Sequence, residues 1–268
     1  MATPYCVIDA FTAEPFGGNP AAVCWLEQPR EPAWMQAVAA EMNLSETAFV
    51  GPGEGACWLR WFTPTVEVPL CGHATLASAH FLYTSGRLER SEPARFDTKS
   101  GRLLARAEGD RIVLDFPAFD AVAATPAAAL VAAVGVQPIE CARVDRPGTD
   151  ACWIFALENE GAVRAARPDF ARMVAVSPEP VVLTARATSA GFDFVSRFFA
   201  PGHGIGEDPV TGSAHCMLGP WWQAKLGRES FVALQASARQ GVVHVRSCDG
   251  RIELAGQAVT VAEGRLLA

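Results

Sequence analysis

R-W-F-T-P-T-V-E-V-P-L-C-G-H-A, residues 60–74, returns in modified form as R-F-F-A-P-G-H-G-I-G-E-D-P-V-T-G-S-A, residues 197–214. The first matched residues recur 137 positions later and the others 140 positions later, because the second copy holds three extra residues. The matched residues are Arg60, Phe62, Pro64, Glu67, Pro69, Gly72 and Ala74, with Arg197, Phe199, Pro201, Glu207, Pro209, Gly212 and Ala214. A repeat of this period indicates two copies of one half-sized domain rather than a solenoid.

The two copies differ in their polar residues. The differing pairs are Cys71 with Thr211, His73 with Ser213, and Val68 with Asp208. A duplicated scaffold with unlike polar residues at matched positions predicts one site shared between the two halves.

Length and hydrophobic pattern predict two α+β domains. A chain of 268 residues can form two domains of ordinary size. The segment 118–126 is the best linker candidate, so we expect domains over residues 1–118 and 119–268, and the sequence leaves open whether the last strand returns to the first domain. In each domain a strand-rich sheet is expected to enclose one apolar helix, 72–83 in the first and 212–224 in the second.

Three further helices are predicted, over residues 31–42, 126–134 and 168–174. In helix 31–42, Trp34, Val38 and Met42 are expected on one side. In the second central helix, Pro220 is expected to kink or end the regular part, since proline cannot donate a helical hydrogen bond.

Composition excludes several classes of partner and cofactor. The net charge of −7 without a basic cluster argues against nucleic acid and anionic membranes. No apolar run reaches the roughly 20 residues that span a bilayer, so we expect a cytosolic protein. The eight cysteines occur singly, without zinc-binding spacing, so no metal is expected. Lys99 and Lys225 both read as surface turn residues, which argues against a pyridoxal Schiff base.

The two central helices begin at matched glycines. A helix N-terminus exposes unpaired N–H groups at the positive end of the macrodipole and is a ready site for a carboxylate. We therefore predict that Gly72, Ala74, Gly212 and Ala214 bind an anionic substrate. The alternative is that the glycines form tight turns and that Thr211 is only an N-cap.

Several segments resemble the phenazine-biosynthesis isomerase (PhzF-like) family. They are D-A-F-T-A-E-P-F-G-G-N-P-A-A-V (9–23), N-L-S-E-T-A-F-V (43–50), P-L-C-G-H-A-T-L-A-S-A (69–79) and E-D-P-V-T-G-S-A-H (207–215). The resemblance runs from residue 5 to about residue 262. It implies the α+β diaminopimelate-epimerase-like fold, in which two pseudo-symmetric domains each wrap a curved mixed sheet around a central helix. It also implies an active site in the cleft and a homodimer.

The resemblance implies roles for four polar residues. Glu46 corresponds to the family's acid/base, which moves a proton on the carbon skeleton of a small cyclic carboxylate without a cofactor. Such a carboxyl group needs partial desolvation, so that it can both take and return a proton near the working pH. His73 and Asp208 match other catalytic residues and Ser213 a substrate-binding residue, although each also has a purely structural interpretation. In the phenazine pathway the substrate would be a dihydro-hydroxyanthranilate.

Cys71 distinguishes between mechanisms. Related epimerases and racemases of this fold use one thiol at each helix start, but here Thr211 is opposite Cys71, and Cys216 corresponds to Leu76. We therefore predict an isomerase. There are two alternatives. One is an epimerase, racemase or dehydratase of the same fold that uses Cys71 and Thr211, and the other is a non-catalytic protein that binds a small carboxylate. His203 and His215 receive no role.

Overall fold

The sequence repeat corresponds to two units whose strands pair according to one plan. The computed structural model describes residues 2–145 and 150–267. Contacts divide the chain into one unit of Met1–Asp115 with Ala255–Ala268 and a second unit of Phe116–Leu254. The sequence places the boundary between residues 118 and 119, and the C-terminal segment lies with the first unit.

The first unit contains two helices and most of its strands in the N-terminal part of the chain. These elements are β1 (Thr3–Ala10), β2 (Asn19–Trp25), α1 (Pro32–Met42), β3 (Glu46–Gly51), β4 (Cys57–Phe62), β5 (Glu67–Val68), α2 (Gly72–Thr84), β6 (Ala94–Thr98), β7 (Gly101–Glu108) and β8 (Arg111–Pro117).

Over its described residues the second unit contains four α-helices, and the chain then returns to the first unit. The elements are β9 (Val122–Ala123), α3 (Ala128–Val134), β10 (Glu140–Val144), β11 (Cys152–Ala156), α4 (Glu160–Ala165), α5 (Phe170–Val176), β12 (Val181–Arg186), β13 (Phe194–Ala200), β14 (Ile205–Asp208), α6 (Gly212–Leu226), β15 (Ser230–Gln235), β16 (Gly241–Cys248), β17 (Arg251–Gly256) and β18 (Ala258–Leu266).

The strand pairings of the two units match. The first unit has the order β18-β1-β2-β3-β4-β6-β7-β8, with β5 on β4. The second has the order β9-β10-β11-β12-β13-β15-β16, with β14 on β13. In each order only two pairs are parallel, β2–β3 and β4–β6 in the first and β11–β12 and β13–β15 in the second. The duplication therefore extends well beyond the quoted segments.

The charged residues shared by the repeats form equivalent clamps. Arg60 donates to both carboxylate oxygens of Glu67 at 2.7 and 2.8 Å. Arg197 binds Glu207 through the same atoms at 2.7 and 2.8 Å. Bidentate guanidinium–carboxylate pairs fix geometry as well as charge. Each clamp therefore ties a core strand to the short strand that precedes the central helix.

Helix α2 is buried along almost its whole length. It packs against β1, β2, β3, β7 and β18 of its own unit. Alanine and serine residues allow this close approach, and each large apolar side chain such as Leu76 contributes roughly 1.5–3 kcal/mol when buried. Within the described residues no helix has the length and apolar character needed to cross a membrane.

Helix α6 continues through Pro220 to Leu226, so this proline does not end the helix, and the predicted alternative of a kink stays a prediction. Pro220 cannot donate to the carbonyl of Cys216 four residues earlier. The backbone N–H of Phe119 donates to that carbonyl at 3.1 Å instead. A donor from outside the helix thus satisfies the group that the proline leaves without its helical partner.

Trp34, Val38 and Met42 lie on one side of α1 as predicted, since all three pack in one hydrophobic cluster in which Met35, Val38 and Ala39 are buried. The prediction for Lys225 differs from the structure. Lys225 lies in the last turn of α6, where it pairs with Glu140, rather than in a surface turn.

Candidate active site

Glu46 and His73 form a buried pair in the first unit. Glu46 is the first residue of β3, and His73 is the second residue of α2, which packs against that strand. Oε2 of Glu46 lies 3.2 Å from Nε2 of His73, with only 11% and 6% of the two side chains exposed. The structure thus brings together two of the predicted catalytic residues, although their roles stay predictions.

The other ring nitrogen of His73 faces two further polar groups. Nδ1 lies 3.2 Å from Nδ2 of Asn19 and 3.5 Å from Sγ of Cys71. Burial lowers the pKa of His73 from 6.5 to about 3, so the imidazole is neutral at physiological pH. Neutral imidazole has one donor and one acceptor nitrogen, and its neighbours decide which is which.

The carboxyl group of this pair has no counterpart in the second copy. Thr47 pairs with Phe62 across β3 and β4, and Val181 pairs with Phe199 across β12 and β13. Phe62 and Phe199 are matched in the repeat, so Val181 corresponds to Thr47 and the preceding residue, Pro180, corresponds to Glu46. The duplicated framework therefore carries a carboxyl group at this position only once.

The second unit has a polar cluster of its own at the start of α6. Oγ1 of Thr211 donates to Oδ2 of Asp208 at 2.5 Å. Gln235 accepts from the backbone N–H of Thr211 at 2.8 Å and donates to the carbonyl of Asp208 at 2.8 Å. All three residues are buried. Thr211 occupies the N-cap position without a side-chain cap hydrogen bond, so the interpretation of its hydroxyl as a cap is wrong.

The predicted anion-binding residues lie in the first turns of the two central helices. Gly72 and Ala74 begin α2, and Gly212, Ser213 and Ala214 begin α6. Ser213 is half-buried, whereas both alanines are buried. The N-cap side chain of α2, Cys71, also makes no cap hydrogen bond. Neither cap side chain therefore bonds a first-turn N–H group of its own helix.

His203 and His215, to which the sequence assigns no role, lie in different settings. His215 is buried in α6, and its Nδ1 lies 2.8 Å from the carbonyl oxygen of Thr211, which can only accept. Burial lowers its pKa to about 4 although this bond opposes the shift. His203 is partly exposed, and its Nε2 lies 2.8 Å from Asp150. These contacts are intramolecular and assign neither residue to catalysis.

Glu46, Cys71 and His73 also form a set with metal-ligand chemistry, since their ligand atoms lie within 4.8 Å of one another. A histidine that binds a metal through one nitrogen ordinarily donates its other N–H to an acceptor. Here the neighbours of Nδ1 are an amide NH₂ and a thiol, both of which can donate. The arrangement around His73 fits a hydrogen-bonded imidazole better than a metal ligand.

Asn19 and Gln235 are the polar residues of these clusters that sequence reasoning missed. Asn19 belongs to segment 9–23, which indicates a family resemblance but no role for this residue, and Gln235 ends a strand. Each contacts its cluster across many residues of sequence, so its part becomes visible only when the strands are paired.

Comparison with known proteins identifies the family. The family model described as phenazine biosynthesis-like protein matches residues 8–264. A protein of Halalkalibacterium halodurans, named an uncharacterized isomerase, is 45% identical over 268 residues, covering 100% of this chain and 99% of the relative. The crystal structure of a PhzF family phenazine biosynthesis protein from Enterococcus faecalis has a TM-score of 0.93 at 38% identity, with 100% of both chains covered.

A more distant structure shows the fold alone. A probable proline racemase from Agrobacterium radiobacter has a TM-score of 0.65 at 10% identity, covering 98% of this chain and 92% of that one. The predicted α+β diaminopimelate-epimerase-like fold is confirmed, and the relatives support an enzyme of isomerase type. The chain belongs to the phenazine biosynthesis-like (PhzF) family.

Proposed function

We propose that the protein is a cofactor-independent isomerase that moves a proton, and with it a double bond, in a small cyclic carboxylate. The observation that carries this proposal is the buried Glu46–His73 pair, which occurs in only one copy of the duplicated framework. A single carboxyl group suits a reaction in which one group removes a proton and returns it elsewhere on the same molecule.

The proposed step balances without any redox change. The Glu46 carboxylate takes a proton from a substrate carbon, and the electron pair of that C–H bond forms a new double bond. The old double bond shifts its electrons to the far carbon, which receives the proton back from Glu46. Substrate and product therefore have the same composition, and Glu46 ends as a carboxylate.

His73 supports this step as a neutral hydrogen-bonding group. Its lowered pKa of about 3 makes it a poor proton reservoir at neutral pH. An imidazole N–H on Nε2, which lies 3.2 Å from Oε2 of Glu46 without hydrogen-bonding to it, stabilises the carboxylate electrostatically before the proton is taken and after it is returned.

We propose that the substrate carboxylate binds the first-turn N–H groups of α2, at Gly72 and Ala74. For the second unit we propose that Asp208 and Ser213 contact the substrate, with Gly212 and Ala214 contributing first-turn N–H groups. The physical basis in each case is the positive end of a helix of 13 or 15 residues whose N-cap side chain makes no cap hydrogen bond.

The biological setting is part of the same proposal. We propose a cytosolic homodimer that acts on a metabolite of the phenazine-biosynthesis type, because the Enterococcus faecalis relative is described as a phenazine biosynthesis protein. Sedimentation equilibrium tests the dimer directly.

One observation favours a second candidate, an epimerase, racemase or dehydratase of the same fold. Sγ of Cys71 lies 3.5 Å from Nδ1 of His73, so a thiol is present in the same cluster as Glu46. Its repeat counterpart is Thr211, so the second copy has no thiol at the matching position. The Thr211 side chain is a hydroxyl, which donates to Asp208.

Proton NMR in D₂O tests the proposal. Wild type, Glu46→Gln, Cys71→Ala and the matched control Glu54→Gln are incubated with a panel of unsaturated cyclic carboxylates. Glu54 is an exposed carboxylate of the same unit and serves as the control for charge removal. Circular dichroism confirms that each variant is folded.

We expect deuterium to enter a substrate carbon with wild type, Cys71→Ala and Glu54→Gln but not with Glu46→Gln. General acid–base groups typically contribute about 10²- to 10⁴-fold in rate, so the loss should be at least of that order. Loss with Cys71→Ala and retention with Glu46→Gln would refute the assignment and favour the epimerase-like chemistry. Binding of a carboxylate without exchange by any variant would instead indicate a binding protein.

A further inference from the structure

Asn19 is held rigidly next to His73. It is the first residue of β2, is fully buried, and pairs with Ala10 of β1. The preceding Gly18 has a φ of +59°, and a Cβ there would lie 2.1 Å from the carbonyl oxygen of Ala10. Only glycine fits this turn, so the backbone fixes where the Asn19 side chain begins.

The neighbours of His73 specify one neutral tautomer. The amide nitrogen of Asn19, 3.2 Å from Nδ1, can only donate. Sγ of Cys71 lies 3.5 Å from the same nitrogen and, as a thiol, is also a weak donor. Nδ1 is therefore the acceptor, and the single ring hydrogen of the neutral imidazole is on Nε2, the atom that lies 3.2 Å from Oε2 of Glu46.

We propose that Asn19 is a positioning residue, which holds His73 in the Nε2–H tautomer so that a donor faces Glu46. In the opposite tautomer the Nε2 lone pair would face the carboxylate, and the two would repel each other whenever Glu46 is ionised. The tautomer is a property of the resting protein. Its consequence for catalysis rests on the proposed isomerase function.

Nitrogen-15 NMR of histidine-labelled protein near neutral pH reads the tautomer directly, because protonated and unprotonated ring nitrogens resonate far apart. His73 is assigned from its absence in His73→Gln. His215 gives an internal reference of opposite tautomer, since its Nδ1 faces the carbonyl of Thr211. We expect His73 to show an unprotonated Nδ1 and a protonated Nε2.

The test variant is Asn19→Asp, which replaces the donor with an acceptor of nearly the same shape. We expect Nδ1 of His73 to become protonated and kcat to fall by roughly 100-fold or more, with little change in KM. A wild-type Nδ1 that is already protonated, or one that stays unprotonated in Asn19→Asp, would overturn the proposal. If Asn19→Asp does not fold, the wild-type spectrum still decides.

The spectrum separates this inference from the proposed function. It is recorded without substrate, so it does not depend on turnover. If His73 has the expected tautomer but Glu46→Gln still exchanges deuterium, the proposed function fails and the role of Asn19 in fixing the tautomer stands.

Discussion

Burial of His73 should make the protein sensitive to mild acid in a way that can be calculated. Its pKa is lowered by burial from 6.5 to about 3 in the folded chain. Because the folded-state pKa is the lower one, this contribution to stability is fully present above pH 6.5. It is lost progressively as the pH falls from 6.5 towards 3, where the unfolded chain gains a proton that the folded chain refuses.

The size of the effect follows from the two pKa values. At about pH 5 the unfolded imidazole is almost fully protonated and the folded one is still neutral. Since one pKa unit corresponds to ~1.4 kcal/mol, the loss from His73 between neutral pH and about pH 5 is about 2 kcal/mol. His80 and His215 also have pKa values lowered to about 4, chiefly by burial, so the whole protein loses more than this.

Urea unfolding of wild type and His73→Gln at the two pH values isolates the contribution of His73. The acid-induced loss of unfolding free energy should be about 2 kcal/mol smaller in His73→Gln than in wild type. An NMR titration should show that the His73 ring does not titrate between about pH 8 and pH 5. Equal losses in the two proteins, or an NMR midpoint near the ordinary value of 6.5 for histidine, would refute the reasoning.

Two further predictions concern stability. The buried carboxylate of Glu160 accepts hydrogen bonds from the backbone and side chains of residues 188 and 189. Burial alone would raise the pKa of this carboxyl group, but these hydrogen bonds and Arg164 hold the pKa well below its usual range. Glu160→Gln should therefore lower the free energy of urea unfolding by about 2–4 kcal/mol, whereas the exposed control Glu158→Gln should change it by less than about 0.5 kcal/mol. Arg197→Met should cost more stability than Arg60→Met in the same measurement, because the Arg197 side chain is only 9% exposed against 21% for Arg60 and also donates to the buried carbonyl of Ala166.

Each of these two stability predictions has a result that would contradict it. Equal unfolding midpoints for Glu160→Gln and Glu158→Gln would mean that the hydrogen bonds to Glu160 do not stabilise the fold. A larger loss for Arg60→Met would mean that burial does not govern the strength of the two clamps.

The sequence predicts the two central helices and their surroundings well because their signals are local. Gly72 and Gly212 open runs of small apolar residues, and matched contexts on either side reveal the duplication without any structure. The same repeat locates His73, Cys71, Asp208 and Thr211 near helix starts, because position within a repeated unit is itself structural information.

The features that sequence reasoning missed depend on distant partners. Pro220 is tolerated inside α6 only because Phe119 supplies a hydrogen bond from outside the helix. The short helix α4 was not predicted, and its Glu160 is fixed by residues 188 and 189. Asn19 contacts His73, which is 54 positions away in sequence. This contact depends on the pairing of β1 with β2 and on the packing of α2.

The central claim is that Glu46 alone removes and returns the migrating proton. The most direct test is a single turnover in H₂O, with enzyme in excess, of a substrate that carries deuterium at the position to be deprotonated. A carboxyl group holds a single proton, and the Glu46 side chain is only 11% exposed, so part of the label should return to the new carbon of the product. Deuterium at that carbon would support the account, and product without any label there from the earliest time point would contradict it.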